Sequence, residues 1–464
     1  RTCRLSLSLV SDLEGNFNLM QTLWSPADEP LLTDQDRSFL RQLSEHPTAP
    51  VYNYACGEML DREGLQWVLD FEATLRQVPV SWSFGRPPDW VKEFTRRCLE
   101  HVAYYRQYGH SDWSENLPGL PRQALRDHYR ELIPDGAPVE QMVEYYTSGT
   151  SGNILQVPSH PVTAGCYLPL LGKAIELAGA RLEGGPEKVG IALVFYQLQT
   201  LTYPSISRVL DGAAFLKLNL HPAQWRQPEH RCQYLEAFPP QVLSGNPLSL
   251  EELALLGPEI RPAAVISTSM AMLEGQRRSL QARFGCPVID LYSMTECRCI
   301  ASHSGNGRYE LLAHDLYVEI LDDLGNPCEP GVRGEITLTG GRNPFQPLLR
   351  YRTGDYAALD WEGDRPYLTG LVGRTPVRFQ RPDGSWINNI DVTCVLTDLP
   401  LRRFQLHQKS DRSLHFLYQA TAVEAGEIRE RLLGLFGPSV SLFISLAAPG
   451  ELLENKWINY TSEL

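Results

Sequence analysis

The run Cys286-Pro287-Val288-Ile289-Asp290-Leu291-Tyr292-Ser293-Met294-Thr295-Glu296 decides the fold. Its first half is apolar and β-branched and opens on a proline, as a buried strand does. Its second half sets an aromatic ring, a hydroxyl and a carboxylate at the end of that strand. Open α/β sheets bind ligands just beyond the carboxyl ends of their strands. A carboxylate there suits magnesium, which is held by one or two carboxylates together with phosphates. Taken alone, the same residues also describe a turn carrying a surface glutamate.

Outward from this run, the texture repeats. Between about residue 140 and residue 350, short apolar stretches such as VGIALVFY (189–196) and AAVISTSM (263–270) alternate with helical patterns and Gly/Pro turns. That alternation predicts a mostly parallel sheet with helices on its faces, an α/β fold. From 309 to 372 the pattern turns β-like, with YVEILDD, GEITLTG and RPYLTG between LGNP and EPGVRG turns. Beyond Gly373-Arg374 the remainder reads as a small α+β unit. It holds a hairpin around Asp383-Gly384, the strand LHFLYQA and a helix over Ala425–Phe436. Upstream, apolar residues at Trp90, Val91, Phe94, Cys98, Val102 and Tyr105 mark one face of a helix over 89–107. Two further helices, over 33–44 and 62–76, are separated by proline-rich stretches. The domain reading is an N-terminal extension of unread role (1–85), a large domain (86–374) and a small C-terminal domain (375–464).

A chain of 464 residues has room for two to four domains. With 43 % hydrophobic and 21 % charged residues it has the apolar surface for large cores, which excludes a wholly disordered chain. A net charge of −13 makes a general nucleic-acid or anionic-membrane binder a poor fit. No run approaches the roughly 20 apolar residues of a membrane span, and RTCRLSLSLV reads as too short and polar for a secretory signal. Ten scattered cysteines read as mostly buried, reduced thiols, so a cytoplasmic setting is the expectation. Cys297, Cys299 and His303 invite a zinc reading, but the CxC spacing is not that of a structural site.

Four other segments carry chemistry. Thr147, Ser148, Gly149, Thr150, Ser151 and Gly152 follow Tyr146 as a run of hydroxyls and glycines. Such a loop brings backbone N–H groups and hydroxyls close to phosphate oxygens. It is not a Walker loop, because GxxxxGK[ST] is absent. Arg350-Tyr351-Arg352-Thr353-Gly354-Asp355 offers an aspartate after a glycine turn, able to accept from two ribose hydroxyls. Gly373-Arg374 stands at the composition change, and Lys456 lies late in LLENKWINY. Each alone is weakly informative: a surface loop, a charged turn and a solvated lysine explain them as well.

Order and spacing make the set specific. YTSGTSG, YSMTE, YRTGD, GR and the late lysine resemble the signature series of adenylate-forming enzymes, the acyl-CoA synthetase, luciferase and adenylation-domain superfamily. The series covers most of the chain from 146 onward. Phe94 to Arg106, Leu312 to Ile320 and Pro347 to Asp355 further resemble the phenylacetate–CoA ligase branch. The resemblance implies a large layered α/β domain with a β subdomain and a small mobile α+β lid. It implies that Thr147 to Gly152 cover the ATP phosphates and that Tyr292 stacks on adenine. Asp290 and Ser269 then line the base, Thr295 reaches the α-phosphate and Glu296 helps hold Mg²⁺. Asp355 binds the ribose with Arg374 nearby, Lys456 bridges the acyl carboxylate and phosphate, and Phe195 and Tyr196 line the acid. Activation of a carboxylic acid, aromatic by those two rings, as an acyl-adenylate follows, with transfer to a thiol such as coenzyme A. Relatives of this branch are often homodimers.

The chain departs from that pattern in places. Asn153 stands where relatives place a loop lysine or Pro-Lys, and Thr268-Ser269-Met270 replaces a usual Gly-Ala-Glu. Thr375-Pro376-Val377 follows the hinge Gly-Arg in place of an acidic residue, and Pro376 restricts Thr375. Those hinge changes keep open a carrier-protein thiol or an amine as acceptor. The missing loop lysine keeps open a non-catalytic nucleotide-binding relative.

Overall fold

The computed structural model describes residues 29–109, 117–146, 155–196, 200–373, 377–396, 399–420, 423–447 and 460–464. Helices α1 (Asp34–Glu45), α2 (Arg62–Gln77) and α3 (Trp90–His101) come first. They are followed by β1 (Leu120–Pro121), α4 (Arg122–Asp127) and the hairpin β2 (Val143–Tyr146) and β3 (Gln156–Ser159). Helices α5 (Pro161–Gly165) and α6 (Tyr167–Leu177) lead into strands β4 (Val189–Phe195), β5 (Tyr203–Ser207) and β6 (Ala213–Asn219). Then α7 (His230–Ala237), β7 (Pro240–Gly245), α8 (Pro247–Leu256), β8 (Ala264–Ser267), α9 (Glu274–Phe284) and β9 (Val288–Met294) alternate. The β-rich stretch supplies β10 (Arg298–His303), β11 (Tyr309–Leu311), β12 (Leu316–Leu321), β13 (Arg333–Gly340), β14 (Leu348–Glu362) and β15 (Arg365–Val372).

Among the described residues all of these strands except the β2–β3 hairpin form one thirteen-stranded sheet, ordered β12-β13-β14-β15-β11-β10-β9-β8-β7-β4-β6-β5, with β1 beside β14. Along that order only the middle, β9-β8-β7-β4-β6, is parallel, and off it β1 also runs parallel to β14. This corrects the expectation of a mostly parallel sheet. A tight turn at Thr295–Cys297 folds β10 back against β9, and every pair from there to β12 is antiparallel. The parallel strands are apolar on both faces because helices cover both. Val194, Leu216, Leu218 and Val265 pack on the side of α1, α7 and α8, while Ile191, Val242, Ile266 and Ile289 pack on the side of α2 and α6.

Helices α1 and α2 lie within residues 1–85. Thr33 caps α1 by accepting from the Asp36 N–H, and the Asp36 carboxylate returns a bond to the Thr33 N–H. Phe39, Leu40 and Leu43 then enter one sheet core, and Val68, Phe71 and Leu75 of α2 enter the other. The described part of that segment is thus built into the large body rather than appended to it.

The C-terminal unit has its own sheet, from β18 (Leu401–Gln408), β19 (Leu414–Ala420), β20 (Leu442–Leu446) and β21 (Tyr460–Ser462), after the hairpin β16 (Arg378–Gln380) and β17 (Trp386–Asn388). Helices α10 (Asn389–Leu396) and α11 (Ala425–Phe436) complete it. Phe404, Phe416, Ile428, Leu432 and Phe436 make a separate core, which Leu273 joins from the large body. The hairpin at Asp383-Gly384 and the helix over Ala425–Phe436 stand as the sequence predicts.

Candidate active site at the strand ends

Strand β9 delivers its side chains to one place. Beyond Met294 the chain turns through Thr295 and Glu296, and Glu296 is buried. A buried carboxylate needs partners. Glu296 Oε1 accepts from Arg122 Nη1 and, at 2.9 Å, from the Tyr351 hydroxyl. Arg122 Nη1 also donates to the Tyr351 oxygen at 3.0 Å. Burial opposes the Arg122 charge, but the neighbouring Glu296 and Tyr351 outweigh it and hold its pKa above the usual value. Burial, and then the Glu296 charge, push the Tyr351 hydroxyl well above its ordinary pKa, so it stays a donor.

Arg122 was not singled out by the sequence. It opens α4, where the helix dipole disfavours a cation, so tertiary structure must place it there. The β1–β14 pairing, Leu120 to Tyr351 and Pro121 to Arg352, brings it to the motif strand. Its Nη2 is buried with no acceptor among the described residues. A cation misplaced at a helix start is the only signal the sequence offers. Tyr351 lies inside the quoted YRTGD run but drew no role of its own.

A second junction joins the base and ribose motifs. The Tyr292 hydroxyl donates to Asp355 Oδ2 at 2.9 Å. Asp355 is fixed from behind: its N–H donates to Thr353 Oγ1 at 3.0 Å, and that hydroxyl donates to the Ile336 carbonyl at 2.8 Å. Gly373, last before the hinge, lies against it, since a Cβ there would sit 3.6 Å from Asp355 Oδ1.

Asp290 is buried beneath this junction. It accepts from the Tyr309 hydroxyl at 2.5 Å and from the Met272 backbone, and burial pushes its carboxyl up to about 6. Asp290 therefore ties down the loop after β8. On that loop Ser269 is exposed and left-handed (φ 71°), and Thr268 Oγ1 lies 3.3 Å from Ser293 Oγ.

Phe195 and Tyr196 part company, as alternation along a strand requires. Phe195 lies beneath the Lys217 ammonium, 5.2 Å from its ring centre. Tyr196 packs with the α1-side core beside His221, its N–H donating to Ser249 Oγ at 3.0 Å. Cys297 and Cys299 are buried thiols, and burial raises Cys299 to about 12. Among the described residues no group of three His, Cys, Asp or Glu converges as metal ligands. Nor is any helix there long and apolar enough to cross a membrane. Thr147 to Gly152, Arg374 and Lys456 lie outside the described residues.

The strand ends thus carry a buried Glu–Arg–Tyr cluster and a Tyr–Asp pair. The chain aligns with a 2-hydroxyisobutyryl-CoA ligase structure holding an adenylate, with a TM-score of 0.60, 15 % identity, and 80 % of this chain and 88 % of that one covered. In sequence it is similar to phenylacetate–coenzyme A ligases. One, from Thermus thermophilus, is 26 % identical over 288 residues, 57 % of this chain and 60 % of that protein. Another, from Pseudomonas putida, is 25 % identical over 300 residues, 60 % of this chain and 64 % of that protein. The matches span less than two thirds of these relatives' own length. No protein-family model matches the chain.

Proposed function

We propose that this chain activates a carboxylic acid with ATP, forming an acyl-adenylate and releasing pyrophosphate, and then passes the acyl group to a thiol such as coenzyme A. The observation that carries this reading is the convergence of separate motifs: Glu296 with Tyr351, and Tyr292 with Asp355. In this reading Tyr292 faces the adenine and Asp355 accepts from the ribose hydroxyls. Thr147 to Gly152 cover the phosphates, Lys456 bridges the acyl carboxylate and the phosphate in the adenylation step, and residues 375–464 act as the small lid domain.

Arg122 supports the reading where the loop itself departs from the superfamily. Its buried Nη2 lacks an acceptor among the described residues, and a phosphate oxygen would satisfy it. A guanidinium beside the Thr295–Glu296 turn thus supplies a cation that the loop lacks at Asn153. Donors fixed before the reaction stabilise charge that develops during transfer. Magnesium fits as well: Glu296 has a second oxygen to which no described residue donates, a hard donor that suits an ion sharing phosphates. Glu296 would hold it, and it would offset repulsion between the triphosphate and the incoming carboxylate.

The test is acid-dependent pyrophosphate release, with hydroxylamine trapping the adenylate, over aryl and short aliphatic acids. A hydroxamate with one acid class, lost in Glu296→Gln, is the expected result. Bound ATP with no release from any acid would sink the reading. Supplying coenzyme A, a carrier-protein thiol or an amine in turn then identifies the acceptor.

A further inference from the structure

Lys217 sits on β6 on the face shared with Phe215, opposite Leu193 of β4 and Tyr203 of β5. Its ammonium lies 5.2 Å from the Phe195 ring centre and 5.8 Å from that of Tyr203. Among the described residues no carboxylate pairs with it and no oxygen accepts from it. Glu58, two residues past Cys56, is engaged elsewhere: Oε1 takes the Ser207 hydroxyl and Oε2 the Arg208 N–H. Burial draws the Lys217 pKa down, partly offset by Cys56. A cation part-way out of water, with ring faces and no carboxylate for partners among the described residues, gains from an incoming anion.

A second cation, Arg298, lies on β10, beyond β9 in the sheet order. Arg298, in the left-handed region at φ 65°, holds its guanidinium 4.3 Å from the Tyr145 ring centre and donates to Ser159 Oγ at 3.2 Å. It too has no carboxylate among the described residues.

We propose that Lys217 is a specificity residue of the acyl pocket and that the acid this chain activates carries a second anionic group, which the Lys217 ammonium receives against Phe195. The proposal rests on reading the Phe195 end of β4 as the acyl pocket. The Lys217 ammonium reaches from β6 back over the Phe195 ring of β4. The second anion in this proposal lies toward the far end of the acid and not beside the reacting carboxylate.

Matched acids test this: terephthalate against benzoate, and homoterephthalate against phenylacetate, each with ATP and hydroxylamine. The wild-type chain is expected to prefer the dicarboxylate of each pair. Lys217→Met is expected to raise KM for the dicarboxylates about tenfold or more, to leave kcat and the monocarboxylates within about twofold, and to be rescued by Lys217→Arg. Preference for the monocarboxylates, or an equal loss on both members of a pair, overturns the proposal. If no acid gives a hydroxamate, the adenylation reading fails and calorimetric titration of terephthalate decides this one separately. Binding to the wild type that Lys217→Met abolishes upholds the charged pocket, and no binding to the wild type overturns it.

Discussion

Around β9 and β14, Arg122 meets Glu296, Tyr351 bonds to both, Tyr292 donates to Asp355, and Tyr309 donates to Asp290. Around β4 and β6, four strands away, Lys217 rests on two aromatic rings and no carboxylate comes to it among the described residues. The same sheet thus pairs Arg122 with Glu296 at β9 and β14 and, among the described residues, brings no carboxylate to Lys217 at β6. The closed network fixes groups that must stand still for a ligand of constant shape, which the nucleotide is in the proposed reaction. The open charge lies where the ligand varies. Substitutions in the two regions should accordingly fail differently.

The largest effect is expected at Arg122. Arg122→Met leaves the Glu296 carboxylate buried with Tyr351 alone, and losing one partner of a buried pair costs about 3 kcal/mol. Denaturant unfolding should show that loss. Adenylate formation should fall by about 10²–10³-fold, the scale of a removed pre-set donor. Adding Glu296→Gln should recover much of the stability and none of the activity. Recovery of both would make the pair purely structural and remove the contrast between the regions.

Asp290 gives a comparable effect that depends on pH. Its folded-state carboxyl is raised from 3.8 to about 6 by burial. The folded chain therefore holds this proton more tightly, so the contribution is complete below about pH 4 and is lost as pH rises through about 6. The shift corresponds to about 3 kcal/mol. Asp290→Asn should become more stable relative to wild type between pH 4.5 and 7.5, by up to that amount, in paired denaturant titrations. An unchanged difference across that range would mean that Tyr309 and Met272 already favour the carboxylate.

The legibility of the two regions differs for a physical reason. Strands, the Asp383-Gly384 hairpin and the helix over Ala425–Phe436 rest on local pattern, and local pattern is written in the chain. Glu296, Tyr292 and Asp355 were readable because one strand end or one turn presents each of them. The Arg122 contact was not, because β1 reaches β14 across more than two hundred residues. The antiparallel half of the sheet was misjudged because the reversal at Thr295–Cys297 is a turn with no glycine or proline to announce it. Phe195 and Tyr196 were taken as a pair although neighbours on a strand face opposite ways. Lys217 went unnoticed because a lone lysine in an apolar run says nothing until the rings beside it are known.

A middling effect belongs to Tyr292. Tyr292→Phe keeps the ring and removes the hydroxyl that donates to Asp355. A hydrogen bond to a charged group contributes about 1.5 kcal/mol, so KM for ATP should rise about tenfold with the acid KM unchanged. Lys217→Met should show the reverse split, acid affected and ATP not. A variant of either kind that moved both constants together would show the two regions to be one coupled site.

The smallest expected effect is on the stability of Lys217→Met, and it bears most directly on the contrast. Two opposing contributions meet at this residue. Ammonium–ring contacts stabilise by about 0.5–2 kcal/mol, while withdrawing the charge from water costs a similar amount. A methionine keeps most of the apolar stem against Phe195 and Tyr203 and removes both contributions. Unfolding stability should therefore move by less than about 1 kcal/mol, against the roughly threefold larger loss at Arg122. A loss above about 2 kcal/mol would mean that the rings alone satisfy the ammonium, and that the β4–β6 region is as closed as the β9–β14 region. A near-zero change, with acid selectivity altered, would mean that the fold holds this charge in place without depending on it.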